Sequence, residues 1–78
     1  MAAVEIFPGV TSDPEIWSGK AMIKGTRIPV SLVLGQLSIG ATPEELHEGY
    51  SLTEEQVRAA LAYAEKRIED ELVYVTRP

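Results

Sequence analysis

Two helix-start signals stand close together in the second half of this chain, and they leave little choice of architecture there. Thr42-Pro43-Glu44-Glu45 puts a hydroxyl at the N-cap, proline at the first helical position and a glutamate at N3 that can reach back to the N-cap amide. Thr53-Glu54-Glu55-Gln56 repeats the pattern, with Leu52 before the cap and Val57 at the fourth helical position placed to form a hydrophobic staple. A short helix must therefore fit between the two starts, anchored inward by Leu46 and ending near Gly49 as a C′ glycine. The second start opens the longest element. There Val57, Ala60, Leu61, Ala64, Ile68 and Leu72 fall at spacings of three and four and define one apolar stripe. Its outer face offers the i,i+4 pairs Glu54 with Arg58, Lys66 with Asp70 and Arg67 with Glu71.

Upstream, Leu32, Val33, Leu34, Leu37 and Ile39 are too dense for a half-buried strand. They predict a mostly buried helix over roughly Ser31 to Ile39, closed by Gly40. Before it, Met22-Ile23 and Thr26-Arg27-Ile28 flank Lys24-Gly25, where glycine supplies the positive φ of a tight hairpin turn. Alternation there directs Ile28 inward and Arg27 outward. Val4-Glu5-Ile6-Phe7 reads as an edge strand stopped by Pro8-Gly9, and Pro14 to Trp17 as one helical turn ended by Ser18-Gly19. The expected fold is mainly α: a three-helix, homeodomain-like helix-turn-helix behind a short N-terminal β-hairpin element. Residues 1–78 form one domain, with β element and turns over 4–30, three helices over 31–72 and a β-prone tail over 73–78.

A domain of 78 residues buries only about 60% of the surface its unfolded chain exposes. With 45% apolar residues but five aromatics, it can build an aliphatic core and has little left for a deep ligand pocket. Cysteine is absent, which excludes disulfides, thiolate nucleophiles and Cys-based zinc sites. No stretch reaches the roughly 20 apolar residues of a membrane span, and Met1 to Glu5 lacks a basic region leading into an apolar one, so a soluble, cytoplasmic protein is expected. The net charge of -5 is carried wholly by residues 42–78, where nine carboxylates face four basic residues; residues 1–41 are balanced. That half should repel a phosphate backbone.

The residues resemble the domain of unknown function 433 family, small prokaryotic proteins often described as antitoxins. The resemblance is carried by Asp13-Pro14-Glu15-Ile16, Gly19-Lys20 and Ile23-Lys24-Gly25-Thr26-Arg27-Ile28-Pro29-Val30. It continues through Gly40-Ala41-Thr42-Pro43-Glu44-Glu45, Tyr50, Leu52-Thr53 and Arg58-Ala59-Ala60-Leu61-Ala62-Tyr63-Ala64. Ser18 stands where the family pattern has a second glycine, and Ala21 where it has proline. The resemblance implies a homeodomain-like helix-turn-helix and the antitoxin half of a type II toxin–antitoxin pair. Such an antitoxin neutralises a PIN-like ribonuclease toxin by direct contact and binds its own promoter DNA.

For DNA, the exposed start of the last helix offers Gln56 to adenine and Arg58 to guanine or phosphate, with Glu54 and Glu55 opposing. The alternative is a capped structural helix. Lys20, Lys24 and Arg27 are a second candidate set, a basic wing on one exposed hairpin edge; alternatively, Arg27 holds the β element by bonding Glu44 or Glu45. For the toxin, the acidic half and the tail residues Leu72, Val73, Tyr74 and Val75 are the candidates, and a homodimer is expected from the small size and free edges. Trp17 and Tyr50 are expected to fill the core, and His47 to lie exposed on a polar face. No catalytic constellation, metal site or cofactor motif is present, so an enzyme is not expected. The alternatives to an antitoxin are a stand-alone helix-turn-helix transcriptional regulator and a plain dimerisation module.

Overall fold

The computed structural model describes residues 3–71. Strand β1 (Val4–Phe7) and strand β2 (Val10–Ser12) pair antiparallel, and β2 pairs in turn with β3 (Met22–Ile23), in the order β1-β2-β3. The N-terminal element is thus a three-stranded sheet, one strand more than a hairpin. Val10-Thr11-Ser12 escapes a pattern reading because Val10 and Thr11 are both buried, so the strand does not alternate. Pro8-Gly9 makes the β1–β2 turn, with proline first and a positive-φ glycine second. Gly25 (φ +81°) turns the chain again, with the Thr26 amide donating to the Ile23 carbonyl at 3.0 Å and the Ile23 amide to Ile28 at 2.9 Å. Ile28 packs against the core and Arg27 points out, as alternation predicts.

Helix α1 spans Val30–Ser38 and begins one residue early, because the Val30 amide is taken by the Ala21 carbonyl at 2.9 Å. It closes in a Schellman motif: Gly40 (φ +104°) donates to Leu37 and Ala41 donates to Gln36. Both capping boxes form in full, opening α2 (Pro43–Tyr50) and α3 (Glu54–Glu69). Helix α2 does not stop at Gly49. It runs on to Tyr50, and Ser51 takes the left-handed position (φ +59°) that returns the next residue, Leu52, to the core. The three-residue connection to α3 gives the pair helix-turn-helix connectivity.

The core joins the sheet to all three helices through Val10, Ile23, Val30, Val33, Leu46, Leu52, Val57 and Ala60. Phe7 and Tyr63 meet edge to face across its margin, with ring centroids 5.6 Å apart. The stripe on α3 is buried only at its start: Val57 and Ala60 are enclosed, but Leu61 is 47% exposed and Ile68 67%. Ile39 is exposed as well, lying beyond the last turn of α1 rather than within it.

The helical turn expected at Pro14 to Trp17 lies three residues later, at Trp17–Gly19. Asp13, itself buried, explains the delay: its Oδ1 accepts the Glu15 amide and its carbonyl accepts the Ile16 amide, both at 2.9 Å, which locks a turn there instead. The backbone then goes left-handed at Trp17, Ser18 and Gly19 (φ +53°, +55° and +84°). Ser18 thus adopts the conformation that a glycine in its place would take freely.

Candidate functional site

The side chains singled out from the sequence fall mainly into four of the surface depressions. At the start of α3, Lys24 shares a groove with Gly9, Thr53, Gln56 and Ala59, so two of the DNA candidates, Lys24 and Gln56, do come together. Neither is unengaged. The Gln56 Oε1 accepts the Thr53 amide at 2.8 Å as the closing bond of the capping box. The Lys24 Nζ meets the Glu5 carboxylate at 3.2 Å. The Gly9 amide, which donates to Glu5 Oε2 at 2.9 Å, and then the Lys24 ammonium hold the Glu5 carboxyl below the ordinary glutamate value. Arg58 pairs with Glu54 at 3.5 Å on the exposed face of α3.

Lys20, Lys24 and Arg27 do not form one basic wing. Lys20 opens onto a groove between α1 and α3, whereas Arg27 lies beside Glu15, Ile16 and Trp17 in a third depression. Strand β3, between Lys20 and Lys24, and the reversal at Gly25, between Lys24 and Arg27, separate them. Arg27 does not reach Glu44 or Glu45: among the described residues its guanidinium makes no ion pair, and Glu45 is occupied by the Thr42 amide at 2.9 Å. Its backbone is what is used, since the Trp17 indole donates to the Arg27 carbonyl at 2.9 Å. Trp17 is therefore not a core residue; it is 58% exposed and pinned across the loop, and Tyr50 is 39% exposed.

A fourth depression lies between α2 and α3, edged by Glu44, Glu48 and Glu54 with His47 and Leu52. His47 is exposed as expected, but its ring has a task the sequence did not show. Nδ1 lies 3.1 Å from the Leu52 carbonyl, and since that oxygen only accepts, the Nδ1–H tautomer is required. The spacing of five residues across a left-handed turn has no simple sequence signature. Of the three expected α3 pairs, Lys66–Asp70 also forms, at 3.4 Å, but Arg67 and Glu71 do not. The tail candidates Leu72, Val73, Tyr74 and Val75 lie outside the described residues.

Residues 10–64, most of the sheet and the three helices up to Ala64, match the family described as protein of unknown function (DUF433). The chain belongs to the DUF433 family. Over 57 residues it is 40% identical to the uncharacterized protein y4eO of Sinorhizobium fredii, covering 72% of this chain and 26% of that one. A crystal structure of a DUF433 member from Anabaena variabilis superposes with a TM-score of 0.72 at 35% identity, over 78% of this chain and 61% of that one. The crystal structure of Rv2018 from Mycobacterium tuberculosis gives a TM-score of 0.60 at 36% identity, over 67% of this chain and 24% of that one. This DUF433 chain thus spans about a quarter of the length of y4eO and of Rv2018. No helix among the described residues is long and apolar enough to cross a membrane.

Proposed function

We propose that this chain is a cytoplasmic antitoxin module of a type II toxin–antitoxin pair, a homodimer that binds a PIN-like ribonuclease through its acidic face. The antitoxin role rests on the resemblance carried by the Lys24-Gly25-Thr26-Arg27 region and its flanks. The observation that supports a protein partner over DNA is the charge at the start of α3. Where a recognition helix would meet phosphate, Glu54 and Glu55 stand in the first turn, and Glu44 and Glu48 of α2 edge the same side. Gln56 is spent in the cap and Arg58 is neutralised by Glu54. A ribonuclease must attract phosphate to its cleft, and a carboxylate-edged surface is complementary to such a cleft.

The test is co-expression with the product of the neighbouring gene, followed by co-purification and a growth assay. A stable complex with growth rescued by this chain is expected. Glu44→Gln with Glu48→Gln should weaken that complex, as should deletion of residues 73–78 while the helical circular dichroism is kept. No retained partner and no effect on growth would overturn the proposal. The helix-turn-helix connectivity of α2 and α3 favours a second reading, a transcriptional regulator contacting DNA through Lys20, Lys24, Arg27, Gln56 and Arg58. Promoter binding by the purified chain alone would select it.

A further inference from the structure

The groove between α1 and α3 differs from the three depressions described above in its mostly apolar lining, whose charged side chains are the basic Lys20 and Arg67. Val30 and Leu34 of α1 and Tyr63, Ala64 and Ile68 of α3 form its walls, and Lys20 and Arg67 stand at its edge. It encloses about 310 Å³, and no carboxylate lines it although the chain carries twelve. Arg67 has Glu71 one helical turn away yet does not pair with it. Among the described residues neither Lys20 nor Arg67 makes an ion pair. Ile68, at 67% exposed, continues the same apolar surface outward.

From this juxtaposition we propose that the α1–α3 groove docks an amphipathic segment of a second protein, apolar along its centre and flanked by carboxylates that meet Lys20 and Arg67. Charge complementarity selects that occupant. Phosphate would gain nothing from an apolar floor. Two copies meeting groove to groove would bring Lys20 and Arg67 against their own images, where like charges oppose association. An apolar segment flanked by acids gains burial on Leu34 and Ile68 and ion pairing with Lys20 and Arg67, the pattern of a helix laid in a groove. This surface is separate from the carboxylate-edged one assigned to the toxin, so the proposal does not depend on that reading.

The probe is a fluorescein-labelled helical peptide with leucines at i, i+3, i+4 and i+7 and glutamates on both sides of that stripe. A second peptide has lysines in place of the glutamates. Both are titrated against the full chain by anisotropy, with amide shifts mapped by NMR. The acidic peptide should bind, with shifts centred on Ala21, Leu34, Ala64 and Ile68. Ile68→Asp, at an exposed position that folding does not need, should weaken it roughly tenfold or more. Lys20→Glu with Arg67→Glu should reverse the preference towards the lysine peptide. The proposal is overturned if the acidic peptide does not bind, if the lysine peptide binds the parent equally well, or if the shifts map elsewhere. It is also overturned if sedimentation shows that Ile68→Asp turns a dimer into a monomer, since the occupant is then a second copy.

Discussion

Gly9 is where the sheet is closed onto α3, and replacing it by alanine combines two costs that can be separated. The residue sits at φ +84°, and a Cβ built there would lie 2.8 Å from the Cβ of Ala59. The left-handed backbone costs a non-glycine residue about 1–2 kcal/mol. The contact is shorter than two carbon atoms tolerate, and both belong to backbone-fixed positions, so the turn and the helix must move apart at a further cost of about 1–3 kcal/mol. Gly9→Ala should therefore destabilise by about 2–5 kcal/mol, a large share of the roughly 4–12 kcal/mol a chain of this size possesses.

Gly25→Ala is the internal control. Its φ is nearly the same, +81°, but nothing lies within 4 Å of the added methyl, so only the backbone cost of about 1–2 kcal/mol should be seen. Ala59→Gly supplies the second arm. By itself it costs about 1 kcal/mol of helix propensity, yet it removes the obstacle to a methyl on Gly9. Urea unfolding of the single and double variants, followed by far-UV circular dichroism, should give a favourable coupling of about 1–3 kcal/mol between the two positions. If Gly9→Ala costs no more than Gly25→Ala and the coupling is below about 0.5 kcal/mol, the close packing of turn on helix is not what holds the sheet in place.

Other consequences are smaller and equally direct. Gln56→Ala should cost about 1 kcal/mol, or roughly 4–8 °C in Tm, because it breaks the Thr53–Gln56 capping box; an unchanged Tm would free Gln56 for recognition. His47→Ala should cost about 0.5–1.5 kcal/mol, and ¹⁵N NMR of the neutral ring should show the proton on Nδ1. The Nε2–H tautomer would refute the bond to Leu52. The Glu5 carboxyl is depressed in the folded state, so its contribution is present above the unfolded value and is lost as pH falls through the folded one. NMR titration should place its midpoint below 4.5, and stability should fall less on acidification in Glu5→Gln than in the parent.

The helical half was legible because its signals are local. Thr42 with Glu45 and Thr53 with Gln56 need only three-residue spacing, and Gly40 marks its own helix end. The sheet was only partly legible, since β2 is recognised by its neighbours on both sides and by burial of Val10, not by alternation. Trp17 was misplaced because its size argued for burial, whereas a single indole bond to the Arg27 carbonyl, ten residues on, fixes it outside. The same limit applies to the cations. Lys20, Lys24 and Arg27 are neighbours in sequence, but strand β3 and the reversal at Gly25 between them send each to a different surface. Lys20 and Arg67, which make no ion pair among the described residues, lie far apart in sequence, and the packing of α3 unites them at the α1–α3 groove.

The distribution of paired and unpaired cations bears directly on the choice between a nucleic-acid and a protein partner. Of the DNA candidates, Lys24 and Arg58 are neutralised by Glu5 and Glu54, which leaves Lys20 and Arg27 as the candidate cations that make no ion pair among the described residues. They lie on different surfaces, so one duplex could use at most both. Each phosphate neutralised contributes about -0.9 to the slope of log affinity against log salt on duplex DNA. DNA binding through these candidate residues, with both ion pairs intact, should therefore show a slope no steeper than about -1.8, weak and unspecific. Fluorescence anisotropy on the chain's own promoter fragment across a salt series measures it. A slope near -4 per protomer that Arg67→Gln with Arg77→Gln leaves unchanged would mean that the Glu5–Lys24 and Glu54–Arg58 pairs open on contact with DNA, and the acidic face would then lose its claim as the primary partner surface.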